Sequence, residues 1–276
     1  MKTAIIIDSS CTFRNWKDEK DVHLVPLTIV TEDQKNIDDN LEFTPDDFYS
    51  LNEEQVLKTS QSIVGSMLGK WDELLKEYDN VICILISKGL SGQYNTYKMF
   101  SNEDEYKERV FVVDTNGVSI VNDRQVAFAL ELIKQGKTPK EIVGFLEEKY
   151  SDFKGYIIPK SLKQLVRGGR ITKAAAGLAK ILKINPILNY NGVIDKEGKA
   201  RTFKKAVEEA LDKIAKENSG EFVVDVAHSR TDQENLDLVN QLMAEKGLKL
   251  GKIDELPNVI VCHTGTDTFA FIPYVG

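Results

Sequence analysis

Short apolar runs alternate with amphipathic helical segments through the first half of the chain. The runs have no internal polar alternation, which is typical of strands covered on both faces of a sheet. Strands are predicted at residues 4–7, 23–30, 81–86 and 110–113. Thr44-Pro45 and Thr138-Pro139 have the composition of helix N-termini, and residues 62–78 repeat apolar side chains at helical spacing. This alternation predicts right-handed βαβ units and a parallel sheet flanked by helices.

The second half has a different, α+β pattern. Asn191-Gly192 lies between two apolar segments and is a strong hairpin signal. Helices are predicted at residues 203–216 and 231–246, and strands at residues 222–227, 249–253, 259–263 and 269–274. We therefore expect an N-terminal α/β domain over residues 1–157 and a C-terminal α+β domain with a mixed sheet over residues 158–276.

Loops rich in small hydroxyl side chains follow three of the predicted strands. They cover residues 8–10, 87–92 and 114–117. Ligands of parallel α/β sheets bind where loops leave the carboxyl ends of the strands. These loops are therefore the first place to expect a binding site.

The composition excludes several classes of protein. The 276 residues include 36 Lys or Arg and 43 Asp or Glu, a net charge of −7, which argues against a general nucleic-acid binder. No apolar run approaches the roughly 18–20 residues of a membrane-spanning helix, and the N-terminus does not have the pattern of a signal peptide. A cytoplasmic protein is expected.

Cofactor and metal signatures are missing from the sequence. It contains neither a P-loop nor a G-x-G-x-x-G segment after a strand. The three cysteines include no C-x-x-C pair, and the three histidines have no metal-ligand spacing. We therefore expect no metal and no cofactor.

What remains is a set of neutral hydroxyl donors in the loops before two predicted helices. These donors are Thr59, Ser60, Ser62, Ser87 and Ser91. Hydroxyls, backbone N–H groups and a helix N-terminus together bind an anion without a full positive charge. Equally, Ser62 and Ser91 are suited to be helix caps, with Thr59 and Ser60 as ordinary loop residues. The residues alone leave both interpretations open.

A set of motifs spread over residues 8–265 resembles the DegV family of lipid-binding proteins, which includes the FakB-like fatty-acid-binding subunits. The motifs are Asp8-Ser9-Ser10, Thr59-Ser60-Gln61, Ser87-x-Gly89-Leu90-Ser91-Gly92, Asp114-Thr115, Leu165-x-x-Gly168-Gly169-Arg170-Ile171, Lys183-Ile184-x-Pro186-Ile187-Leu188, Arg201 and His263-Thr264-Gly265. Each is weak alone. Their combination in family order, across essentially the whole chain, is specific.

The resemblance implies a carrier of a long-chain fatty acid and not an enzyme. The carboxylate is expected at the domain interface and the acyl chain in an apolar tunnel. The carboxylate-binding residues implied by motif position are Thr59, Ser60, Ser91, Gly92 and His263. Without the resemblance, His263 would be a structural histidine at the end of a strand.

The family also implies a partner, a separate fatty-acid kinase that forms an acyl phosphate from the bound lipid. Arg170 and Arg201 belong to a locally basic stretch and are candidates for docking this partner or facing a phosphate. The alternative is a solvated basic face. A transient contact with a membrane surface fits the same role.

Two other functions stay open. One is a small hydrolase or phosphoryl-handling enzyme that uses Ser91 or Ser9 with His263. The other is a family member with a changed ligand, because three motifs depart from the family pattern. Gln61-Ser62 replaces the usual continuation after Thr59, Asn116-Gly117 replaces a Gly-rich helix start, and Asp267 brings a negative charge near the expected carboxylate site.

Overall fold

The computed structural model of the protein describes residues 2–276 and divides them into two compact units. The first unit consists of the chain up to Asp152 together with Pro257–Cys262. The second consists of Phe153–Leu256 and His263–Gly276. Both units combine helices with a sheet, so the predicted mixed α/β architecture is confirmed.

Thirteen strands and ten α-helices occur between residues 2 and 276. The strands are β1 (Thr3–Ile7), β2 (Val22–Leu24), β3 (Thr28–Val30), β4 (Asn36–Asp38), β5 (Lys58–Ser60), β6 (Asn80–Ile84), β7 (Val110–Val112), β8 (Gly155–Ile158), β9 (Asn185–Tyr190), β10 (Ile194–Ala200), β11 (Val223–His228), β12 (Leu250–Glu255) and β13 (Phe269–Tyr274). The helices are α1 (Pro45–Glu54), α2 (Val64–Leu74), α3 (Gln93–Phe100), α4 (Ile120–Lys134), α5 (Pro139–Tyr150), α6 (Lys163–Gly168), α7 (Lys173–Gly177), α8 (Phe203–Glu217), α9 (Gln233–Glu245) and α10 (Asn258–Thr264). None of these helices is both long and apolar enough to cross a bilayer.

The first unit is built on a four-stranded parallel sheet in the order β2-β1-β6-β7. Every residue of β1 and β6 is buried, which explains the apolar runs at residues 4–7 and 81–84. On one face, Ile6 packs in a core with Trp71 of α2 and Tyr97 of α3. A small antiparallel sheet in the order β4-β3-β5 completes this unit.

The second unit contains a six-stranded mixed sheet in the order β10-β9-β8-β13-β11-β12. The β11–β12 pair is parallel and the other neighbouring pairs are antiparallel. Asn191-Gly192 connects β9 to β10 as predicted, with Gly192 at a φ of +75°. Phe269 and Phe271 of β13 pack against the inner face of α8 in the core of this unit.

Both predicted helix starts of the first unit are capping boxes. Thr44 accepts a hydrogen bond from the Asp47 N–H while the Asp47 carboxylate accepts one from the Thr44 N–H. Thr138 and Glu141 form the same reciprocal pair at the start of α5. Each box satisfies two N–H groups that the helix cannot pair internally.

The predicted strand at residues 259–263 is wrong, because this segment is helix α10. The Asp39 carboxylate accepts hydrogen bonds from the Asn258 side chain, at 2.9 Å, and from the Val259 N–H, at 3.4 Å. These bonds hold the start of α10, directly after Pro257, in the first unit. The sequence-based division at residues 157 and 158 does not include this return of the chain, and the first of the two segments of the first unit ends at Asp152.

Asp39 should make stability depend on pH. Burial raises its pKa from 3.8 to about 7, against the lowering effects of Asn258, the Val259 N–H, Ser9 and Arg14. Since the folded state favours the protonated form, the free energy of unfolding should fall as pH rises from about 4 to about 7. The full effect is about 4 kcal/mol.

We expect Asp39→Asn to remove this dependence, so that the variant gains stability relative to the wild type between pH 5 and pH 8. Denaturant unfolding of both proteins at each pH measures the difference. Parallel pH profiles would contradict the assignment.

Candidate functional site

The buried carboxylate of Asp8, directly after β1, accepts hydrogen bonds from the turn after β1 and from the residues on either side of the loop at residues 87–92. Asp8 accepts hydrogen bonds from the Ser10 N–H at 2.9 Å, the Ser10 hydroxyl at 2.5 Å and the Ile86 N–H at 2.8 Å. The side-chain amide of Gln93 donates a fourth bond at 2.7 Å. Burial raises the pKa of Asp8, and the four donors oppose that rise. The carboxylate is therefore tolerated in the interior only because all these donors converge on it.

A chain of buried side chains links the third loop to Asp8. Thr115 donates to the Gln125 amide oxygen at 3.0 Å, and the Gln125 nitrogen donates to the Asn122 oxygen at 3.1 Å. Asn122 donates to the Ser10 hydroxyl oxygen at 3.4 Å. Gly117 lies against these amides so closely that a Cβ would be 1.9 Å from the Asn122 oxygen. The loop after β7 is therefore fixed to the loop after β1.

Gln93 links the loop that contains Ser62, which follows Thr59 and Ser60, to the start of α3, which follows Ser91 and Gly92. Its side-chain oxygen accepts hydrogen bonds from the Ser62 N–H at 2.8 Å and from the Ser62 hydroxyl at 3.0 Å. The neighbouring Gln61 side chain accepts a bond from Thr96 of α3 at 3.1 Å. The loop between β5 and α2 is thereby attached to the N-terminal turn of α3, and both segments belong to the first unit.

Ser91 and Gly92 form the start of α3, as predicted. The Ser91 hydroxyl oxygen accepts the Gln93 N–H at 3.2 Å, an interaction that leaves the hydroxyl hydrogen able to donate to a ligand. Gly92 has ordinary right-handed backbone angles, a φ of −70° and a ψ of −6°. A Cβ at Gly92 would have only the Gln61 side chain nearby, at 3.9 Å. The fold therefore accommodates a side chain at position 92, and glycine there leaves the N-terminal turn of α3 open to a ligand.

Thr59 and Ser60 lie at the end of β5, where they pair with Ile29 and Thr28 of β3. Successive side chains of a strand point to opposite faces. Thr59 is accordingly half-buried and Ser60 exposed. The two hydroxyls therefore do not face the same ligand, although both precede the loop that Gln93 holds.

His263 belongs to the last turn of α10 and lies in the second unit. Its imidazole packs on Gly168, where a Cβ would be 2.3 Å from the His263 Nδ1 atom. Burial, and then the positive charges of Arg170 and Arg167, lower the pKa of His263 to about 4. The imidazole is therefore neutral at pH 7, and its role in binding a head group stays a prediction.

The negative charge of Asp267 is compensated within the second unit. Its carboxylate forms a 2.6 Å ion pair with Lys160, and its N–H donates to the Arg230 carbonyl at 3.0 Å. The preceding Gly265 has a φ of +79° and lies against the Gln164 amide. The departure from the family pattern at Asp267 thus adds an ion pair and not an isolated negative charge.

The two candidate docking residues differ in environment. Arg170 follows the end of α6, where its guanidinium donates to the Gly168 carbonyl, and it is half-buried. Arg201 precedes α8 and is exposed. Only Arg201 is fully accessible to a partner, and the docking role of both residues stays a prediction.

Ser9 is not available as a nucleophile. It is fully buried, and its hydroxyl oxygen accepts a hydrogen bond from the Leu27 N–H at 3.0 Å.

No group of three or more His, Cys, Asp or Glu side chains among residues 2–276 is arranged to hold a metal ion.

A cavity of about 210 Å³ lies in the first unit. Its lining combines apolar and basic side chains and consists of Ile7, Phe13, Trp16, Lys17, Val22, His23, Leu24, Leu41 and Lys70. Ligand pockets commonly have roughly 300–1,000 Å³, so this cavity is small for a long acyl chain. The apolar tunnel implied by the resemblance stays a prediction.

Two important residues were missed by sequence reasoning. Gln93 was not recognised, because a glutamine after Ser-Gly at a helix start has no distinctive signature. Asp39 was missed as well, since its partner Asn258 lies 219 positions away in the sequence. A polar residue at a predicted helix start next to a hydroxyl-rich loop is the one signal that pointed toward Gln93.

Comparison with known proteins agrees with this architecture. The family model described as "Uncharacterised protein, DegV family" matches residues 2–274. A DegV domain-containing protein of Staphylococcus aureus is 27% identical, with 98% of each chain covered. Fatty-acid-binding DegV proteins of Streptococcus agalactiae and Thermus thermophilus both superimpose with a TM-score of 0.88, at 27% and 28% identity, and each comparison covers 100% of both chains.

The fold and the site thus define a two-unit α/β protein of the kind found in these structures. The chain belongs to the DegV family.

The contact between Gly168 and His263 should make position 168 intolerant of any side chain. Gly168→Ala has to displace the imidazole, and overpacking of this kind typically costs about 1–3 kcal/mol. Gly177→Ala is the matched control, since position 177 has helical backbone angles and nothing within 4 Å of an added Cβ. Thermal unfolding should show a lowered Tm for Gly168→Ala only. Equal Tm values for the two variants would contradict the contact.

Proposed function

We propose that this protein binds a long-chain fatty acid and presents its carboxylate to a separate fatty-acid kinase. The observation that carries the proposal is the attachment of the Thr59-Ser60 segment to Ser91 and Gly92 through buried Gln93. Support also comes from the DegV structures of Streptococcus agalactiae and Thermus thermophilus, which are described as fatty-acid-binding. A carrier is proposed and not an enzyme, in line with those relatives.

The chemistry of the site suits a carboxylate on an apolar chain. Burying a sixteen-carbon chain contributes about 11 kcal/mol before the loss of chain and rotational freedom is subtracted. Hydroxyl and backbone N–H donors then orient the head group. A ligand without an acidic head would leave these donors unpaired in a dry site, at a cost of a few kcal/mol.

His263 is proposed as a further contact of the head group, as the family resemblance implies. A neutral imidazole is compatible with this role, because it has one N–H group that can donate to a carboxylate. His263→Ala and His263→Gln separate packing from hydrogen bonding, since glutamine retains a donor.

Mass spectrometry of the purified protein, native and then after organic extraction, tests the function directly. A long-chain fatty acid near one equivalent, released only on denaturation, is the expected result. An empty protein that also fails to take up added fatty acids would overturn the proposal, and a changed ligand or the Ser91–His263 enzyme would then be favoured.

Ser91→Ala should weaken fatty-acid binding about tenfold or more, the usual effect of losing one hydrogen bond to a charged group. Ser50→Ala is the matched control, because Ser50 is an exposed serine on α1. Titration with a fluorescent fatty acid measures both affinities. Unchanged lipid affinity in Ser91→Ala, combined with the loss of a measured turnover, would favour the enzyme.

A basic stretch of the second unit supports the kinase partner. Residues 160–205 contain twelve Lys or Arg and two acidic residues, in a chain whose net charge is −7. A concentrated positive surface attracts an acidic or phosphate-bearing partner and accelerates encounter. Arg201, which is exposed, is the proposed docking residue, and Arg170 is proposed to face the phosphate.

Arg201→Glu should lower acyl-phosphate formation several-fold when the lipid-loaded protein is mixed with a purified bacterial fatty-acid kinase and ATP. Fatty-acid affinity should not change. Lys20→Glu is the control, since it makes the same charge change at an exposed site of the first unit. Equal rates for the two variants would remove Arg201 from the docking surface.

A transient membrane-surface contact is part of the same proposal. Ile181 and Leu182 are 39% and 86% exposed and lie between Lys180 and Lys183. Exposed apolar side chains next to lysines suit the boundary of an anionic bilayer. Such a contact gives a carrier access to its lipid.

A further inference from the structure

The side chain of Gln93 is fully buried and connects the loop after β5 to the end of β1, beside the bonds that Thr96 and Tyr97 of α3 form with Gln61 and Ser62. Its side-chain oxygen accepts hydrogen bonds from the N–H and the hydroxyl of Ser62, and its side-chain nitrogen donates a hydrogen bond to the Asp8 carboxylate. Ser62 follows the Thr59-Ser60 segment, and Gln93 itself follows Ser91 and Gly92. One amide thus lies between both candidate head-group segments and the end of β1.

The orientation of this amide is fixed by its partners. A backbone N–H can only donate, so the group facing Ser62 is the Gln93 oxygen. The nitrogen then necessarily faces Asp8, which also accepts from the Ser10 and Ile86 N–H groups. A side chain at position 93 must therefore accept on one side and donate on the other.

The backbone of Gln93 also orients Ser91. Its N–H donates to the Ser91 hydroxyl oxygen, which directs the hydroxyl hydrogen elsewhere. The same residue therefore holds the loop after β5 with its side chain and the Ser91 hydroxyl with its backbone.

We propose that Gln93 is the positioning residue of the head-group site, and that it sets the preference for a carboxylate over an uncharged head group. This inference rests on the proposed fatty-acid function. Gln93 touches no ligand atom itself. It fixes the separation between the Thr59-Ser60 segment and Ser91-Gly92, and two donors discriminate well only when their separation matches the anion.

The test compares the affinities for palmitic acid and for hexadecanol, an alcohol of the same length. Gln93→Met keeps the size of the side chain and removes both polar groups. We expect the ratio of acid to alcohol affinity to fall about tenfold to a hundredfold, with hexadecanol affinity within threefold of the wild type. General loosening of the fold would lower both affinities together.

Thr31→Val is the matched control, because it also keeps the size of the side chain and removes its polar group. Thr31 is buried in the first unit and its hydroxyl donates to the Lys35 carbonyl at 3.2 Å, but it is bonded neither to Ser62 nor to Ser91 nor to Asp8. It should lose stability without losing the preference for the acid. A folded Gln93→Met variant that keeps the wild-type preference would overturn the inference.

Gln93→Glu provides a second test if the methionine variant does not fold. Placed beside Asp8, the new carboxyl should have a raised pKa, and only its protonated form can donate to Asp8. Acid preference should therefore be low at pH 8 and recover at pH 6, while the wild type changes little. An absence of recovery would count against Gln93. Failure of the wild type to prefer the acid would instead reject the proposed function, and the inference with it.

Discussion

The first unit depends on keeping one carboxylate, that of Asp8, in the interior at the end of β1. An unpaired charge in such a place is prohibitively costly, so donors must be supplied from other parts of the chain. They come from the turn after β1, from the end of β6 and from the first residue of α3. The hydrogen bonds that satisfy Asp8 therefore also hold these segments together at the carboxyl ends of the strands. Local mobility in any of these segments would remove a donor from Asp8 and raise the free-energy cost of burying its carboxylate.

This arrangement also explains the neutral character of the candidate site. In the first unit, Asp8 already accepts hydrogen bonds from four donors. In the second unit, the pKa of His263 is lowered to about 4, so the imidazole carries no charge at pH 7. The available groups are hydroxyls and N–H dipoles. Such groups recognise an anion by geometry more than by Coulomb attraction, which makes recognition depend on the positions of a few side chains.

The sequence predicts those helix starts, strands and turns that are determined by residues close together in the chain. The capping boxes at Thr44 and Thr138, the buried strands and the Asn191-Gly192 turn all follow from neighbouring residues. Residues 259–263 were predicted as a strand because four apolar residues fit either a strand or a helix, and the bonds of Asp39 that hold the start of the helix come from far away in the sequence. The site residues that the motifs imply stay a prediction. The Gln93 amide, which joins two of their segments, stayed hidden because hydrogen bonds between distant segments leave no local pattern.

The open space at Gly92 has a practical meaning. A single methyl group added there meets no neighbour closer than 3.9 Å, so the protein should fold as before while losing room at the start of α3. If a ligand binds at the start of α3, as proposed, this variant would be its ligand-free reference. Comparing the Tm of the variant with that of the wild type would then convert ligand occupancy into a free energy through mass action, without removing the ligand by denaturation. The open position 92 would thus give the binding free energy from melting alone.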